Sequence, residues 1–343
     1  MLRVQPITPD QNYFDLGGDS MLAVQMFTRI EQEFQVKLPL ATLFDAPTIR
    51  ELAQMLQQET STSSWSPLVA IQPSGTRPPF FCVHPHGGEV LIYRDLARHL
   101  GPSQPFYGLQ SQGLDGSLTP LKTIQEMAEL YLKEMRRVQV RGPYFLGGYC
   151  MGGAVAYEIA QQLQAKGEQV ALLAMFDTPN YAHLETPTLF EGVYYTAERL
   201  KFHAANILSL DSAEKSRFLG ERMRLFRGRV PVWLSMAYGK IPSGSVGSVS
   251  ASSALGGVWR ANFRACAEYV PRPYAGKITA FYPAKQFRRL KNPNLKWDDL
   301  ALEGLELVLV PVNPPGLLAE PYVLQLAKAL EASIDGAIRN CKS

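Results

Sequence analysis

The sequence predicts an α/β protein in which a mostly parallel sheet is covered by helices on both faces, with a small all-helical segment ahead of it. Three observations carry that expectation. Short, nearly continuous apolar runs recur at 79–85 ("PFFCVHP"), 144–148 ("YFLGG"), 170–177 ("VALLAMFD"), 277–283 ("KITAFYP") and 305–312 ("LELVLVPV"). Strands apolar on both faces belong to buried parallel sheets. Helical patterns alternate with most of these runs, as parallel pairing requires. Ahead of them a Ser/Thr-rich stretch, "ETSTSSWSPL" (59–68), follows a region of helical periodicity with no strand pattern.

In the leading part, "DSMLAVQMFTRIEQEF" sets Leu22, Met26, Ile30 and Phe34 at successive i+4 positions, one face of a helix. "FDAPTIRELAQML" puts Thr48 and Glu51 at capping-box spacing ahead of Leu52 and Leu56. Residues 1–58 therefore read as a small helical domain, 59–72 as a flexible linker, 73–335 as the α/β domain and 336–343 as a tail. After "YFLGG", Val155, Ile159 and Leu163 recur every fourth residue as a helical face. Residues from about 180 to 265 interrupt the alternation with a helical pattern, "EGVYYTAERLKFHAANIL", and a Gly/Ser-rich loop, "PSGSVGSVSASSALGG". So long an insertion between two strands is a candidate lid, with Tyr194, Tyr195 and Phe202 as walls of an apolar chamber.

The chain has 343 residues, 46% apolar and 19% charged, and a net charge of +3. This is a globular composition, long enough for one large domain and a small one. Without a Lys/Arg stripe interleaved with aromatics, nucleic acid is not an expected partner. No apolar run approaches the roughly 18–20 residues that cross a bilayer, so neither is a membrane. The opening "MLRVQPITPDQNYF" lacks the apolar core of a secretory signal. Cys82, Cys150, Cys266 and Cys341 are irregularly spaced. Neither a disulfide framework nor a metal site is expected, and a reducing cytoplasm is the expected compartment.

The chemistry concentrates at "GYCMG" (148–152), between a strand and a helix. G-x-C-x-G is the nucleophile elbow with cysteine in place of serine; small residues flank the nucleophile because the turn is tight. Such a turn exposes the Cys150 sulfur at a helix N-terminus, where the dipole favours thiolate. The same letters also fit a Gly-rich turn around an inert cysteine, but the partners follow in the order the elbow requires. Asp177 ends the strand "VALLAMFD" and so sits at the same sheet edge, where a carboxylate can orient an imidazole. Its alternative is a turn aspartate before Thr-Pro. The Gly-rich turn in "HPHGGEVLIYRDLARHL" (84–100) can aim the His86 N–H, with that of Met151, at a reacting carbonyl oxygen. In that role His86 matters for its backbone, while His84 reads as a hydrogen-bonded structural residue.

These phrases carry a resemblance. "FFCVHPHGGEVLIYRDLARHLG", "QPFYGLQSQGLDG", "GPYFLGGYCMGGAVAYEIAQQL", "MFDTP" and "YVPRPYAGKITAFYPAKQ" resemble the terminal thioesterase domain of nonribosomal peptide and polyketide synthases. That family has an α/β-hydrolase fold with a helical lid, and cysteine is a known variant of its nucleophile. "NYFDLGGDSMLAVQM" resembles the carrier protein that precedes such a domain, with Ser20 at the site of 4′-phosphopantetheine attachment. A helix N-terminus suits that phosphodiester, although "GGDS" alone also describes an ordinary helix cap. The resemblance implies a thioesterase or acyl transferase that takes an acyl or peptidyl chain from Ser20 onto Cys150 and releases it by hydrolysis or cyclisation. Its implied partners are the upstream modules of an assembly line and a phosphopantetheinyl transferase.

Two departures qualify the resemblance. The family's general base is a histidine in the loop after the last strand; here that loop is "VPVNPPGLLAEPYVLQLAKAL", and the aligned position is Pro314. No histidine follows His203, leaving His86, His183 or His203 as substitutes. Loading of a thiolate could persist without a base, but release would lose roughly two to four orders of magnitude. The chain also begins inside the loop that follows a carrier's first helix, so that helix is expected to be missing. Both departures favour the rival reading of a degenerate module that binds an acyl chain or partner without turnover. A stand-alone esterase would leave the leading segment unexplained.

Overall fold

The structure is a computed structural model that describes residues 7–18, 20–36, 38–57, 65–183, 254–284, 297–312 and 316–342. Its centre is a seven-stranded sheet of β1 (Leu68–Gln72), β2 (Phe80–Val83), β3 (Phe106–Leu109), β4 (Tyr144–Tyr149), β5 (Val170–Phe176), β6 (Ile278–Pro283) and β7 (Leu305–Val310). The strand order is β1-β3-β2-β4-β5-β6-β7; β1 pairs antiparallel with β3 and every other pair is parallel. Helices cover both faces. On one side α5 (Ile124–Met135), α6 (Met151–Ala165) and α7 (Ala254–Glu268) pack on Phe81, Val83, Leu146 and Leu173. On the other, α4 (Arg94–Leu100) and α8 (Val323–Lys342) pack on Phe80, Cys82, Phe145 and Phe176.

Strand β2 shows why the apolar runs are continuous. Phe80, Phe81, Cys82 and Val83 are all buried, alternately feeding the two layers, so no position can be polar. The face of α6 also follows the sequence pattern: Val155, Ile159 and Leu163 are fully buried. Three other elements differ from expectation. Strand β1 falls inside the stretch 59–72 assigned to a linker: its short apolar run, residues 68–71, directly follows the Ser/Thr-rich residues, whose composition masks it. Strand β3 was not anticipated, since Gly108 interrupts its apolar pattern; a Cβ there would meet Val90 at 2.8 Å. Strand β7 is an open edge with Leu307 and Leu309 exposed, so its run is not buried on both faces.

The leading segment folds as α1 (Ser20–Phe34), α2 (Thr42–Asp45) and α3 (Ile49–Gln57). The capping box forms: Thr48 N–H donates to Glu51 Oε2 at 3.0 Å, and Glu51 N–H to Thr48 Oγ1 at 3.2 Å. The buried stripe of α1 is rotated by one residue from the expected face. Ala23 and Phe27 are buried, Leu22 and Met26 flank them, and Phe34 is 62% exposed. Of the residues read as a lid, 184–253 lie outside the described residues, including Tyr194, Tyr195 and Phe202. So do Pro314 and residues 58–64 of the linker.

The two parts meet through the loop that follows β2. Leu91 is buried within the apolar cluster of Tyr13, Ala23, Phe27, Leu43 and Leu52, and Phe44 packs against both this cluster and one sheet layer. Arg94 lays its guanidinium over the Phe14 ring at 4.2 Å and reaches Asp15 at 3.5 Å. A cation–π contact is worth about 0.5–1 kcal/mol and an exposed ion pair about 0–1 kcal/mol. Arg94→Ala is therefore expected to weaken this docking roughly fivefold, since about 1 kcal/mol is lost. Hydrogen exchange should then quicken in residues 12–18 and α2, while the unfolding midpoint of the α/β domain stays unchanged.

Candidate active site

The turn at "GYCMG" is built by close backbone approach. Cys150 has φ 56° and ψ −119°, a conformation that L residues rarely adopt. It holds because the residues two positions to either side, Gly148 and Gly152, have no side chains. A Cβ on Gly148 would lie 2.1 Å from the carbonyl carbon of Gly152, and one on Gly152 would lie 2.2 Å from the carbonyl oxygen of Val83. Polar ties close the turn: Cys150 N–H donates to Phe176 O at 2.9 Å, and Tyr149 N–H to the Tyr93 hydroxyl at 3.0 Å. That hydroxyl in turn donates to Val83 O at 2.5 Å.

Asp177 follows β5 with φ 43°, its N–H bonded to Phe281 O at 2.9 Å. The next residue, Thr178, is fully buried; its carbonyl accepts from Tyr282 Oη at 2.9 Å and Trp297 Nε1 at 3.0 Å. Asp177 is close enough to Cys150 for its charge to raise the thiol's pKa. Burial pushes the Asp177 carboxyl itself up to about 6.

The turn after β2 brings the ring of His86 to the sulfur, with Nδ1 3.4 Å from Cys150 Sγ. The hydroxyl of Tyr181 is 3.2 Å from Sγ, and the Tyr181 ring stands edge-on to His86 at 5.7 Å. The His86 carbonyl is tied down by Asn262 Nδ2 of α7 at 3.1 Å, and its own N–H donates to no described acceptor. Burial lowers the His86 imidazole to about 4, so it is neutral at physiological pH. His84 is sealed away from this group, bonded through Nε2 to Tyr131 Oη and through Nδ1 to Pro85 O, each at 2.7 Å.

The thiolate expected from the helix dipole is not the resting state. Burial raises the Cys150 pKa, and the opposing pull of the Tyr181 hydroxyl and the Met151 N–H only partly offsets it. Desolvation wins because the dipole of one helix end is small beside the loss of water around a charge. The site therefore rests as thiol and neutral imidazole.

Cys150, Met151, His86 and Asp177 thus converge at one edge of the sheet. Of the three histidines offered as substitutes for the base, His86 is the one whose described ring approaches the sulfur. Sequence reasoning missed Tyr181 and Asn262. Asn262 leaves a signal, as the one polar residue among Val258, Ala265 and Cys266 on the buried face of α7; Tyr181 leaves none. The side chain of His183 and all of His203 lie outside the described residues.

Ser20 opens the 15-residue helix α1, whose first turn carries no acidic side chain. The loop before it is tightly closed: Gly17 has φ +81°, and a Cβ on Gly18 would lie 2.3 Å from the Tyr13 ring. A helix N-terminus suits a phosphodiester on Ser20; the acidic residue before it, Asp19, lies outside the described residues. Among the described residues no group of three or more His, Cys, Asp or Glu could hold a metal ion, and no helix is long and apolar enough to cross a membrane.

Comparison with known proteins agrees with both parts of the chain. Residues 78–237 match the family model of the thioesterase domain, and residues 1–56 that of the phosphopantetheine attachment site. A dimodular nonribosomal peptide synthase of Bacillus subtilis (strain 168) is 42% identical over 182 residues, 53% of this chain and 8% of that protein. Malpinin synthetase of Mortierella alpina is 44% identical over 181 residues, 52% of this chain and 2% of that protein. The chain thus spans less than a tenth of either relative. Among solved structures, the four-domain nonribosomal peptide synthetase AB3403 aligns over 96% of this chain and 25% of its own, at 25% identity and a TM-score of 0.59. The NocB thioesterase domain aligns over 78% of this chain and all of its own, at 24% identity and a TM-score of 0.55, a likeness of fold.

The raised carboxyl of Asp177 yields a stability test. Below about pH 4 the group is protonated in both folded and unfolded chains, and Asp177→Asn should be neutral. As pH rises the unfolded chain ionises first and the native state loses stability, until the folded carboxyl ionises at about 6. Above that pH the loss is constant. The variant should then be more stable than the parent by on the order of 2–3 kcal/mol, read from denaturant unfolding at pH 4 and pH 7.

Proposed function

The chain is a phosphopantetheine carrier joined to a thioesterase domain of the nonribosomal peptide synthetase type, and we propose that it releases an acyl or peptidyl chain through Cys150. The observation that supports this most is the elbow: a half-buried cysteine in a left-handed turn, with the helix of Met151 beginning at its side. A phosphopantetheine arm on Ser20 would present the chain as a thioester. Upstream modules that extend it and a transferase that installs the arm are the proposed partners.

The Cys150 sulfur attacks the thioester carbonyl. The carbonyl oxygen becomes an oxyanion, and the N–H groups of Met151 and His86 are the donors assigned to it. Collapse of that intermediate breaks the bond to the carrier thiol and leaves the chain on Cys150. One thioester replaces another, so this step is nearly balanced in energy. Release is more demanding, because water or a nucleophile of the chain itself must lose a proton as it attacks. Water gives the free acid, and an internal nucleophile a ring. Asp177 contributes the negative pole of the site, but no described imidazole is bonded to it.

A second reading is favoured by the raised pKa of Cys150 and by proline at position 314, where the family has its base. In it the domain binds acyl chains without turning them over. The two readings separate by intact mass after incubation with an acyl N-acetylcysteamine thioester. The proposed function requires an adduct of the acyl mass on the parent and none on Cys150→Ala, with free thiol appearing in the same amount. A parent that binds the thioester but never acquires the mass would establish the non-catalytic reading.

A further inference from the structure

We infer that the imidazole of His86 is the proton acceptor for Cys150, with the Tyr181 hydroxyl as a second hydrogen-bonding group on the sulfur, in place of a histidine after β7. The inference rests on the proposed role of Cys150 and names the residues that would let that site turn over.

Geometry carries it. Of the described side chains, two reach Sγ through a polar atom: His86 Nδ1 at 3.4 Å and Tyr181 Oη at 3.2 Å. Both rings are held. Asn262 fixes the His86 backbone at 3.1 Å, the Tyr181 ring meets the imidazole edge-on, and the Phe263 ring of α7 lies 6.1 Å from the imidazole. His86 Nε2 is buried with no hydrogen-bond partner among the described residues. An imidazole that structure alone required would have both nitrogens bonded, as His84 does. A neutral ring with its proton on Nε2 leaves Nδ1 free to accept from the thiol.

The described titratable groups that interact with this cluster are Cys150, Asp177, Tyr181, Tyr149, Tyr282, Cys266 of α7 and His84. None of them is a cation at neutral pH, so nothing among them holds Cys150 as a standing thiolate. The proton must therefore move as the sulfur attacks. The Sγ–H proton passes to His86 Nδ1 while Sγ bonds to the carbonyl carbon. The carbon–sulfur bond to the leaving thiol then breaks, and His86 returns the proton to that sulfur. In release, Nδ1 takes a proton from water or from the chain's nucleophile, the acyl bond to Sγ breaks, and the proton passes to Cys150. Each half begins and ends with a neutral imidazole. Among the described residues no carboxylate is bonded to Nε2 to stabilise the imidazolium, so this acceptor is weaker than that of a full triad.

The test follows Cys150 acylation by the same N-acetylcysteamine thioester, by intact mass, from pH 5 to 9 in the parent, His86→Ala and Tyr181→Phe. In the parent the rate should be nearly flat, because His86 is already unprotonated above about pH 4. In His86→Ala attack must await thiolate, so the rate should fall at least 100-fold at pH 6 and climb tenfold per pH unit. Added imidazole should restore part of it, a rescue that a purely structural role would not show. Tyr181→Phe should slow acylation several-fold and leave the profile flat. Acylation of His86→Ala at the parental rate, or faster, would mean that the ring merely fills the site, and the inference would fail while Cys150 kept its role. A parent that acquires no acyl mass on Cys150 would overturn the proposed function, and this inference with it.

Discussion

The structure depends on one close contact, the carbonyl of Val83 against Gly152 at the start of α6. It lets β2, β4 and the helix crowd together so that residue 150 must adopt a positive φ. A single Cβ at position 148 or 152 would push these backbones apart by more than an ångström. The strain of a left-handed cysteine, about 1–3 kcal/mol, is balanced by the burial of β2 and β4 on both faces. Tyr93 ties the same strands together, its hydroxyl donating to Val83 O and accepting from Tyr149 N–H, so elbow and oxyanion turn share one brace.

Desolvation is the second theme, and it sets the charge state of every group near the sulfur. Cys150 and Asp177 are raised and His86 is lowered, each chiefly by burial. All three shifts favour the neutral form. Apart from the Asp177 carboxylate, ionised above about pH 6, the site holds neither thiolate nor imidazolium; those charges must be created during the reaction, where preorganised N–H groups can stabilise the oxyanion most. This also explains why sequence reasoning overestimated the thiolate: the helix terminus is visible in the letters, but the loss of water is not.

How far the letters could be read follows the range of the interactions involved. Continuous apolar runs exposed five strands, and the glycines of "GYCMG" exposed the elbow, because both are local signals. The stripe of α1 was misplaced by one residue because Leu22, Met26, Ile30 and Phe34 form an unbroken apolar i+4 row, while the adjacent row turns polar at Glu31; packing against Leu43 and Leu91 nevertheless selects its Ala23 and Phe27. Strand β1 escaped because its four apolar residues, 68–71, adjoin a Ser/Thr-rich stretch that reads as linker. The ring of His86 stood only as one of three substitutes for the missing base, beside His183 and His203, because a family pattern offers only its backbone. Its approach to Cys150 arises from a turn and a strand 64 residues apart, a relation that no spacing rule encodes.

The loop after β2 links carrier and chemistry. Within ten residues it carries His86 beside the sulfur, Leu91 in the carrier's apolar cluster and Arg94 over Phe14. Phe14 and Asp15 precede Ser20 by a single tight turn, and Val24 and Phe27, one and two turns beyond Ser20, line a groove with Trp65, Leu114 and Leu255. Leu114 is also within reach of Gly88, next to the His86 turn, where a Cβ would lie 3.1 Å from it. Docking the carrier therefore loads the same short segment that positions the imidazole and its N–H. A segment shared in this way couples the carrier's pose to the geometry at Cys150. Because the carrier contacts belong to the chain itself, the constraint that Leu91 and Arg94 place on the turn holds for a thioester free in solution as well as for a tethered one.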